Sequence, residues 1–327
     1  MDLFITSLGA RLTCKKGMFQ VKNETDLERL SPGKISSITL TRACMVSTDA
    51  FRLAIKYEIP IILVSGSGKP LGRLWSNRYG SIPHIRRRQL AFSGSPKAMN
   101  WMAGQMHEKT QKQLILLTRL HEQSPENTPQ FTVWIDQIRQ HQAQFQSFQE
   151  ENNPPDASGL RGIEGKIART YFQALSTTLP PTYQFDERSR HPSKDRFNAA
   201  LNYLYGMLYN LTETALIAAG LDPYLPVFHS DKRNKPALVY DIVEVFRPWA
   251  DWVVVRLCQQ RDIPQTMTQP HKGGLWLNEE GRKVVIEAFQ NYLNRKVQYG
   301  ETQQKRRRII YLYCQEFAQS LLHHDLD

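Results

Sequence analysis

The segment NRYGSIPHIRRRQ, residues 77–89, separates two parts of the sequence that have different hydrophobic periods. Before it, apolar residues form short β-branched runs such as KISSITL and IPIILVS, which are typical of strands. After it, apolar residues recur every three or four positions in long segments such as PKAMNWMAGQMHEKTQKQLILLTRL, which is typical of amphipathic helices. Gly80 and Pro83 lie within the segment, so we expect the hinge between two domains there.

The part before the hinge is predicted to be a small β-rich domain with one helix. In LFITSLGARLTCKKGMFQVKN two extended runs are joined by KKG, which predicts a hairpin. STDAFRLAIKYE predicts a short helix opened by Ser47 or Thr48, IPIILVS a buried strand, and GSGKPLGRL one more short strand. We therefore assign residues 1–85 to a dimerisation domain, because exposed β surface in so small a domain favours association.

Residues 86–327 are predicted to form a larger all-α domain. Gly220 is expected to end one of its helices and Asn278 to begin another. The fold class is therefore α+β: a small amino-terminal β-rich domain is followed by a larger helical one.

Composition indicates a polyanionic partner. The 327 residues include 42 Lys plus Arg against 31 Asp plus Glu, for a net charge of +11, and nucleic acid is the commonest partner of so basic a chain. The longest apolar runs are far shorter than the roughly 20 residues of a membrane span, and basic residues interrupt any signal peptide. We expect the chain to stay in the cytoplasm, away from membranes. The four cysteines form no CxxC pair and are expected to be buried.

One carboxylate stands out in GLRGIEGKIARTYFQAL, residues 159–175. Glu164 lies between Gly162 and Gly165, and a solvated helix face would explain it if no partners existed elsewhere in the chain. Three cations lie close to it in the sequence: Arg161, Lys166 and Arg169.

The partners are found downstream. His229 lies in a Pro-rich loop, and Asp241 and Glu244 lie three residues apart in LVYDIVEVF, on one side of a helix. Because acids are rarely buried unpaired, these two require either a cation such as Arg247 or a divalent metal ion. Carboxylate oxygens suit Mg²⁺ and Mn²⁺, and an imidazole ligand favours Mn²⁺. A structural ion pair remains the alternative at this point.

Two basic stretches bracket these acids. DERSRHPSKDR covers residues 186–196 and DKRNK covers residues 231–235. Cations in such numbers suit the phosphates of a nucleic-acid backbone.

Several segments in the same order resemble the motifs of one family. LRGIEGKIARTYFQAL, FNAALNYLYGMLY, AAGLDPYLPVFH, PALVYDIVEVFRP and GGLWLNEEGRK are similar to those of the CRISPR-associated integrase, the metal-dependent nuclease that inserts new spacers into CRISPR arrays. LFITSLGARL and RRRQLAF resemble its β domain and the entry to its helical, catalytic domain. The resemblance spans nearly the whole chain.

The resemblance implies a set of site residues. The family's metal ligands correspond to Glu164, His229 and Glu244, with Mg²⁺ or Mn²⁺ as the cofactor. Asp241 corresponds to a supporting acid of the same helix and Tyr209 to an active-site tyrosine. Expected contacts to the DNA backbone, from the resemblance and from the basic stretches, are Lys166, Arg169, Arg188, Arg190, Arg86 and Arg88.

The resemblance also implies a reaction and partners. The reaction is phosphodiester transesterification, in which a captured duplex is joined to a CRISPR repeat, and the same site cleaves double-stranded or branched DNA. The expected assembly is a homodimer bridged by a small companion protein with a ferredoxin-like fold, in a prokaryotic cytoplasm. Two alternatives stay open: a non-catalytic basic DNA-binding protein whose acids brace the core, and an integrase of a mobile element.

Overall fold

The chain is described by a computed structural model, except for residues 1, 6, 24–25, 36, 42, 66–69, 75–81, 124–127, 151–155, 191, 230–234, 272 and 324–327. It comprises two compact units, each built from separate stretches of the chain. The first contains Met1–Leu90, Asn210–Pro223 and Arg308–Asp327, and the second contains Ala91–Tyr209 and Tyr224–Arg307. Residues 77–81 of the expected hinge lie outside the described residues, and the division into domains at residue 85 stays a prediction.

The amino-terminal part is β-rich, as predicted. Its elements in chain order are β1 (Asp2–Ile5), β2 (Arg11–Lys15), β3 (Met18–Lys22), β4 (Leu27–Leu30), β5 (Ser37–Leu40), β6 (Met45–Val46), α1 (Thr48–Lys56), β7 (Ile61–Val64), β8 (Pro70–Leu74) and α2 (Ile82–Phe92).

These strands form two four-stranded sheets. One has the order β1-β5-β7-β8, in which only the last pair is antiparallel. The other has the order β4-β3-β2-β6, in which β2 and β6 are parallel and the remaining pairs antiparallel. Their apolar residues share one hydrophobic cluster with α1, whose most buried members include Leu12, Phe19, Ile38, Leu40 and Ile61.

Local sequence signals explain the turn and the cap in this part. Lys16 and Gly17 connect β2 to β3 with positive φ angles of 52° and 71°, the conformation that two-residue hairpin turns require. The Ser47 hydroxyl accepts a hydrogen bond from the Ala50 amide at 3.2 Å and begins α1. Both predictions from sequence are confirmed.

The remainder of the chain is mainly helical. Its helices are α3 (Pro96–Gln123), α4 (Thr128–Glu150), α5 (Ala157–Thr177), α6 (Arg196–Ala218), α7 (Ala237–Val243), α8 (Arg247–Gln260), α9 (Glu279–Asn294) and α10 (Arg306–His323). Among the described helices, none is long and apolar enough to cross a lipid bilayer.

Helix α3 lies at the centre of the second unit. It packs against α4, α5 and α8, and against the single 3₁₀ turn Glu244–Phe246 that connects α7 to α8. Its inward face buries Met102, Met106 and Leu117. Polar residues are also buried on this helix, and one of them organises the candidate site.

The predicted helix ends are confirmed. Gly220 follows α6 with a φ of +85°, a left-handed conformation that glycine adopts without a steric penalty. Asn278 Oδ1 accepts a hydrogen bond from the Gly281 amide at 2.9 Å and begins α9.

Two hairpins interrupt the helical pattern. They are β9 (Thr268–His271) with β10 (Gly274–Leu277), and β11 (Lys296–Tyr299) with β12 (Thr302–Lys305). Their strands are only four residues long. Strands β9 and β12 are mostly exposed, and β10 and β11 bury one residue between them, so the pairs carry little of the hydrophobic alternation from which strands are predicted. The α+β fold class is confirmed, and these hairpins are additions to its helical part.

The cysteines divide into two groups. Cys258 and Cys314 are buried as expected, and burial raises the pKa of both thiols. The expectation was wrong for Cys14 and Cys44, which are only partly buried because they lie at the margin of the β-sheet core.

Gly274 provides a test of the docking of β10. A Cβ atom at this position would lie 2.4 Å from Pro192 Cβ and 2.7 Å from the Ser193 carbonyl oxygen. Gly274→Ala is therefore expected to lower the free energy of unfolding by about 1–3 kcal/mol, the usual range for overpacking. Gly162→Ala is the matched control, because a Cβ there meets no atom within 4 Å and alanine improves helix propensity by up to about 1 kcal/mol. Urea denaturation should show changes of opposite sign; equal midpoints for the two variants would contradict the docking of β10.

Candidate active site

The candidate site is built around the ammonium group of Lys109. Its Nζ lies 2.8 Å from Glu164 Oε1 on α5 and 2.6 Å from Glu244 Oε2, in the turn after α7. The Lys109 side chain is only 9% exposed and that of Glu244 only 2%. Two of the three predicted metal ligands, Glu164 and Glu244, therefore pair with the same buried cation. The sequence analysis did not predict a role for this lysine.

A second cation balances the same pair of acids. Arg247 Nη2 lies 2.9 Å from Glu244 Oε1, so the structural ion pair considered from the sequence is present. The Arg247 guanidinium also lies 4.9 Å from the Tyr205 ring and 5.6 Å from the Tyr209 ring. Lys109 and Arg247 together neutralise Glu164 and Glu244, whose burial unpaired would be very costly.

These charges keep Glu164 ionised. Burial by itself would raise the pKa of Glu164, but Lys109, Arg247 and His229 outweigh it and lower the pKa to about 2. Burial likewise lowers the pKa of Lys109, and the attraction of Glu164 and Glu244 reverses this, so that its pKa is raised. At neutral pH the site therefore contains an ionised Glu164 carboxylate paired with the Lys109 ammonium group.

Asp241 holds the loop that carries His229. It is fully buried, and it accepts backbone hydrogen bonds from Val227 at 2.7 Å, Phe228 at 3.2 Å and His229 at 3.1 Å. Its Oδ1 also lies 2.6 Å from His229 Nδ1. Because a carboxylate only accepts, Nδ1 donates the proton, and in the neutral imidazole the lone pair is then on Nε2.

Aromatic rings surround His229. Its ring lies 5.8 Å from that of Tyr240, which lies edge-on to Tyr209 at 5.2 Å. Tyr209 is half-buried near the end of the α6 stretch that belongs to this unit. Tyr209 therefore lies beside both the Arg247 cation and the aromatic support of His229, although its predicted role in the reaction stays a prediction.

The donor groups fit a divalent cation in type and in surroundings. In metal-binding histidines, one ring nitrogen binds the metal ion, and the other usually donates its proton to a carboxylate, as His229 Nδ1 does to Asp241. Glu244 Oε2 is buried and pairs with Lys109 without forming a hydrogen bond of good geometry. This oxygen atom therefore has a lone pair that could bind another cation. Within the part of the chain that the structure describes, no three His, Cys, Asp or Glu side chains converge as a metal site. Lys109 occupies the position between the two acids.

The glycines that flank Glu164 leave open surface. A Cβ atom added at Gly162 or at Gly165 would meet nothing within 4 Å. Neither glycine is therefore needed for packing inside this chain, and a ligand has room to approach the helix on both sides of Glu164.

The predicted DNA contacts fall into two groups. Lys166, Arg169 and Arg190 are exposed, as a phosphate contact requires. Arg188 instead donates to Asn198 Oδ1 at 2.8 Å and to Asn202 Oδ1 at 2.6 Å, and burial lowers its pKa. On α2, in the first unit, Arg86 is exposed and Arg88 half-buried. Contact with DNA stays a prediction for all six residues.

Comparison with known proteins decides the family. Residues 3–291 match the family described as CRISPR associated protein Cas1. The chain belongs to this family. A member from Thermus thermophilus, a CRISPR-associated endonuclease Cas1, is 29% identical over 295 residues, which is 90% of this chain and 87% of the relative.

Solved structures show the same fold. A chain of a partial Cas6-RT-Cas1–Cas2 complex superposes with a TM-score of 0.81 at 19% identity, covering 100% of this chain and 97% of that one. A casposase bound to its integration product superposes with a TM-score of 0.76 at 22% identity, covering 98% and 95%. The Cas1 fold therefore extends over the whole chain.

A third buried acid in this Cas1 chain, after Asp241 and Glu244, was missed from the sequence. Asp251 on α8 is fully buried and accepts hydrogen bonds from Tyr171 Oη at 2.8 Å and Tyr205 Oη at 2.7 Å. These bonds connect α5, α6 and α8 behind the candidate site. Burial raises the pKa of Asp251 to about 6, although Tyr205 and Tyr171 lower it in part.

Lys109 was also not predicted to belong to the site, although the sequence contains a pattern that indicates its burial. It follows Met102 and Met106 at helical spacing, so that the pattern places it on the buried face of α3. A lysine on such a face requires an acidic partner. The sequence does not reveal which acids supply it, because the nearer of the two lies 55 residues away.

The Asp251 cluster predicts a pH dependence of stability in this Cas1 chain. Because the folded-state pKa is raised from 3.8 to about 6, the protonated acid favours folding at low pH, and this contribution is lost as pH rises through 6. Asp251→Asn carries no such charge, so its stability relative to wild type should rise by about 2 kcal/mol between about pH 4.5 and 7.5. Urea denaturation of both proteins at each pH measures this difference; a constant difference would refute the assignment.

Proposed function

We propose that this chain is a metal-dependent DNA nuclease and integrase that joins captured DNA into a CRISPR array. The observation that carries the proposal is the meeting of Glu164 and Glu244, from separate elements, at one buried cation. The Asp241-held imidazole of His229 completes a donor set that suits Mg²⁺ or Mn²⁺.

The relatives support this class of reaction. The Thermus thermophilus relative is called an endonuclease, and the casposase was solved with an integration product. Both activities act on phosphodiesters, and they differ in whether water or a DNA hydroxyl attacks the phosphorus. One site can perform both reactions, because the charge that develops on the phosphoryl oxygens is the same.

The proposed reaction is a balanced exchange of phosphodiester bonds. The 3′-oxygen of the incoming strand forms a bond to phosphorus at the edge of a repeat, and the bond from that phosphorus to the 3′-oxygen of the array strand breaks. The proton of the attacking hydroxyl is transferred, directly or through solvent, to the released 3′-oxygen. With water in place of the attacking hydroxyl, the outcome is strand cleavage.

The chain's own residues would prepare the site in three ways. Glu164 and Glu244 would supply carboxylate oxygens, and His229 would supply Nε2 while Asp241 holds its Nδ1 proton. A divalent cation held by these groups would polarise the phosphoryl oxygen and stabilise the charge of the transition state. Tyr209 would lie beside this centre as a polar support.

Lys109 would have to release both acids for a metal ion to bind between them. While no metal ion is bound, its ammonium prevents repulsion between the two carboxylates, since it lies within 2.8 Å of each. Once released, the same ammonium would be close enough to pair with a phosphate of the bound DNA. Lys109 would therefore act as the internal counter-ion of the site.

The assembly is part of the proposal. Lys166, Arg169 and Arg190 would hold the DNA backbone, while Arg188 would position the loop that carries Arg190. In the first unit, Arg86 and Arg88 would also contact the DNA backbone. A homodimer would form through the β-rich part. A neighbour was solved in a complex that includes Cas2, and a companion protein of that kind, with a ferredoxin-like fold, would bridge two dimers.

A non-catalytic DNA-binding role is favoured by one observation. Lys109 and Arg247 neutralise Glu164 and Glu244 without any metal ion, as they would in a purely structural network. Metal-dependent cleavage of branched DNA distinguishes the two functions. The casposase shares the fold. The alternative role as an integrase of a mobile element would be separated from a CRISPR role only by the presence of a repeat array beside the gene.

Loss of a metal ligand should separate chemistry from DNA binding. Glu164→Gln, His229→Ala and Glu244→Gln are each expected to reduce strand joining by about 100-fold or more, and Asp241→Asn by about 10–100-fold. Duplex affinity should stay within about tenfold, or 1.4 kcal/mol, because it depends on many exposed cations. The assay joins a labelled duplex to a repeat-bearing plasmid in Mn²⁺, with EDTA as the blank.

Glu279→Gln is the matched control. Glu279 is an exposed acid that pairs only with the exposed Lys283 at 2.9 Å among the described residues, so the variant should join strands like wild type. Wild-type joining by Glu164→Gln, or equal joining in EDTA, would refute the proposed mechanism.

Removal of Lys109 should make stability depend on metal. Lys109→Met leaves two acids with Arg247 alone, and the loss of one partner of a buried pair typically costs about 3–5 kcal/mol. Mn²⁺ should then raise the thermal midpoint of the variant more than that of wild type, and bind it more tightly, because no ammonium has to leave. Lys283→Met is the control, since Lys283 is exposed and pairs with the exposed Glu279 at 2.9 Å. An equal response to Mn²⁺ in Lys109→Met and wild type would contradict the counter-ion role.

A further inference from the structure

A small cavity of about 10 Å³ adjoins the paired charges of the candidate site, within the second unit. Its walls come from α3, α4 and α5 and are largely apolar, with Met106, Phe145 and Ile167 among the lining residues. Lys109 and Glu164 also line it, so the cavity lies beside the ion pair between them. One water molecule requires a volume of about 10–15 Å³, and an ammonium group is of similar size.

One polar atom in the wall of this cavity has no hydrogen-bond partner among the described residues. It is Oε1 of Gln113, a residue that is only 2% exposed. Leaving a buried acceptor unpaired is costly, and native proteins contain few such atoms. Gln142, a buried glutamine of α4, has the usual arrangement: its Nε2 donates to the His107 carbonyl oxygen at 3.2 Å and to Gln111 Oε1 at 2.9 Å. Gln113 Oε1 therefore requires a donor that can enter the cavity.

Gln113 is placed where the ammonium of Lys109 can reach it. The two residues are four positions apart on α3. Side chains at that spacing lie on the same face of a helix, and each is directed toward the amino-terminal end. The Gln113 amide therefore lies over the turn that carries Lys109. A lysine has a flexible four-carbon stem and three donor hydrogens, so its ammonium can move without a change in the backbone.

Two further groups favour an ammonium in this cavity. The Thr110 hydroxyl donates to the Met106 carbonyl oxygen at 2.7 Å, and its own oxygen retains lone pairs that can accept a hydrogen bond. Glu164 is also in the wall, so an ammonium inside the cavity would keep the attraction of one carboxylate. Because a buried charge requires such partners, these groups together suit a displaced lysine.

We propose that Gln113 is a positioning residue, which accepts the Lys109 ammonium when the two acids bind a metal ion. Metal binding between Glu164 and Glu244 requires the ammonium to leave Glu244 Oε2, from which it lies 2.6 Å away. In the chain without DNA, its new acceptors would be Gln113 Oε1 and the Thr110 hydroxyl. The inference rests on the proposed function, since it concerns the site that would hold the metal ion.

Gln113 should therefore have opposite effects on the two states of the site. Without metal its Oε1 is a buried acceptor with no donor, so an apolar side chain of similar size should stabilise the fold. With metal it would hold a displaced cation, so the same replacement should weaken metal binding. A glutamine with a purely structural role would affect stability alone.

Gln113→Met is the test variant, and isothermal titration calorimetry of the full chain without DNA measures its binding of Mn²⁺. Its Mn²⁺ affinity should fall by about 10–100-fold, the range of a hydrogen bond to a charged group, while its thermal midpoint without metal rises. Gln142→Met is the matched control at a second buried glutamine. It loses two hydrogen bonds, so its midpoint should fall, whereas its Mn²⁺ affinity should equal that of wild type.

A double-mutant cycle measures whether Gln113 acts through Lys109. Lys109→Met has no ammonium to place, so the addition of Gln113→Met should leave its Mn²⁺ affinity unchanged. The same loss of affinity in both backgrounds would show that Gln113 supports the acids directly, and the proposal would be wrong.

A crystal structure of wild type with Mn²⁺ provides a second measurement that needs no variant. Lys109 Nζ should lie within about 3.2 Å of Gln113 Oε1, the limit of a normal hydrogen bond. An ammonium directed into solvent would overturn the proposal.

The remaining outcomes separate this proposal from the proposed function. Equal Mn²⁺ affinity in wild type and Gln113→Met would overturn the role of Gln113 and leave the metal site standing, with water as the occupant of the cavity. Absence of Mn²⁺ binding from both wild type and Lys109→Met would overturn the two together. Metal binding that depends on Gln113, in a chain that joins no DNA strands, would refute the proposed reaction alone.

Discussion

The second unit depends on the neutralisation of two carboxylates that folding brings together. Glu164 and Glu244 come from elements on either side of α3, and Lys109 lies between them at less than 3 Å from each. Two like charges so close in a buried site would repel strongly, so α3, α5 and the turn after α7 are compatible only with a cation among them. The packing of α3 against α5 and against that turn, and the placement of Arg247 beside Glu244, agree with this requirement.

The same requirement bears on the proposed metal site. Glu164 and Glu244 are already paired with cations in the folded chain, and in the proposed mechanism Lys109 would be the group that moves when a metal ion binds. Behind them, Asp251 with its two tyrosines and Asp241 with its loop fix the surrounding elements through hydrogen bonds. Buried polar groups that are fully satisfied restrict the alternatives open to a core.

Local signals in the sequence were sufficient for most of the fold and part of the site. The KKG turn, the Ser47 cap and the glycine after α6 are decided by residues within a few positions of one another, and all three were predicted. Glu164, His229 and Glu244 were singled out by residue type and by family motifs. Lys109, Asp251 and the bonds of Arg188 were not, because their partners are distant in the chain and are selected only by tertiary packing. The two late hairpins were missed for another reason: their strands bury too little to impose a period.

The glycines on both sides of Glu164 have a consequence for motion. Each glycine inside a helix weakens it by roughly 1 kcal/mol relative to alanine, and Gly162 and Gly165 gain no packing in return. The middle of α5 should therefore open more often than its carboxy-terminal half, where Tyr171 and Leu175 are fully buried. The backbone amides around Glu164 would exchange with solvent faster than those near residue 172. Because this turn is easily distorted, a small shift of its backbone could move the Glu164 carboxylate toward a newly bound cation. The rest of the helix would keep its position.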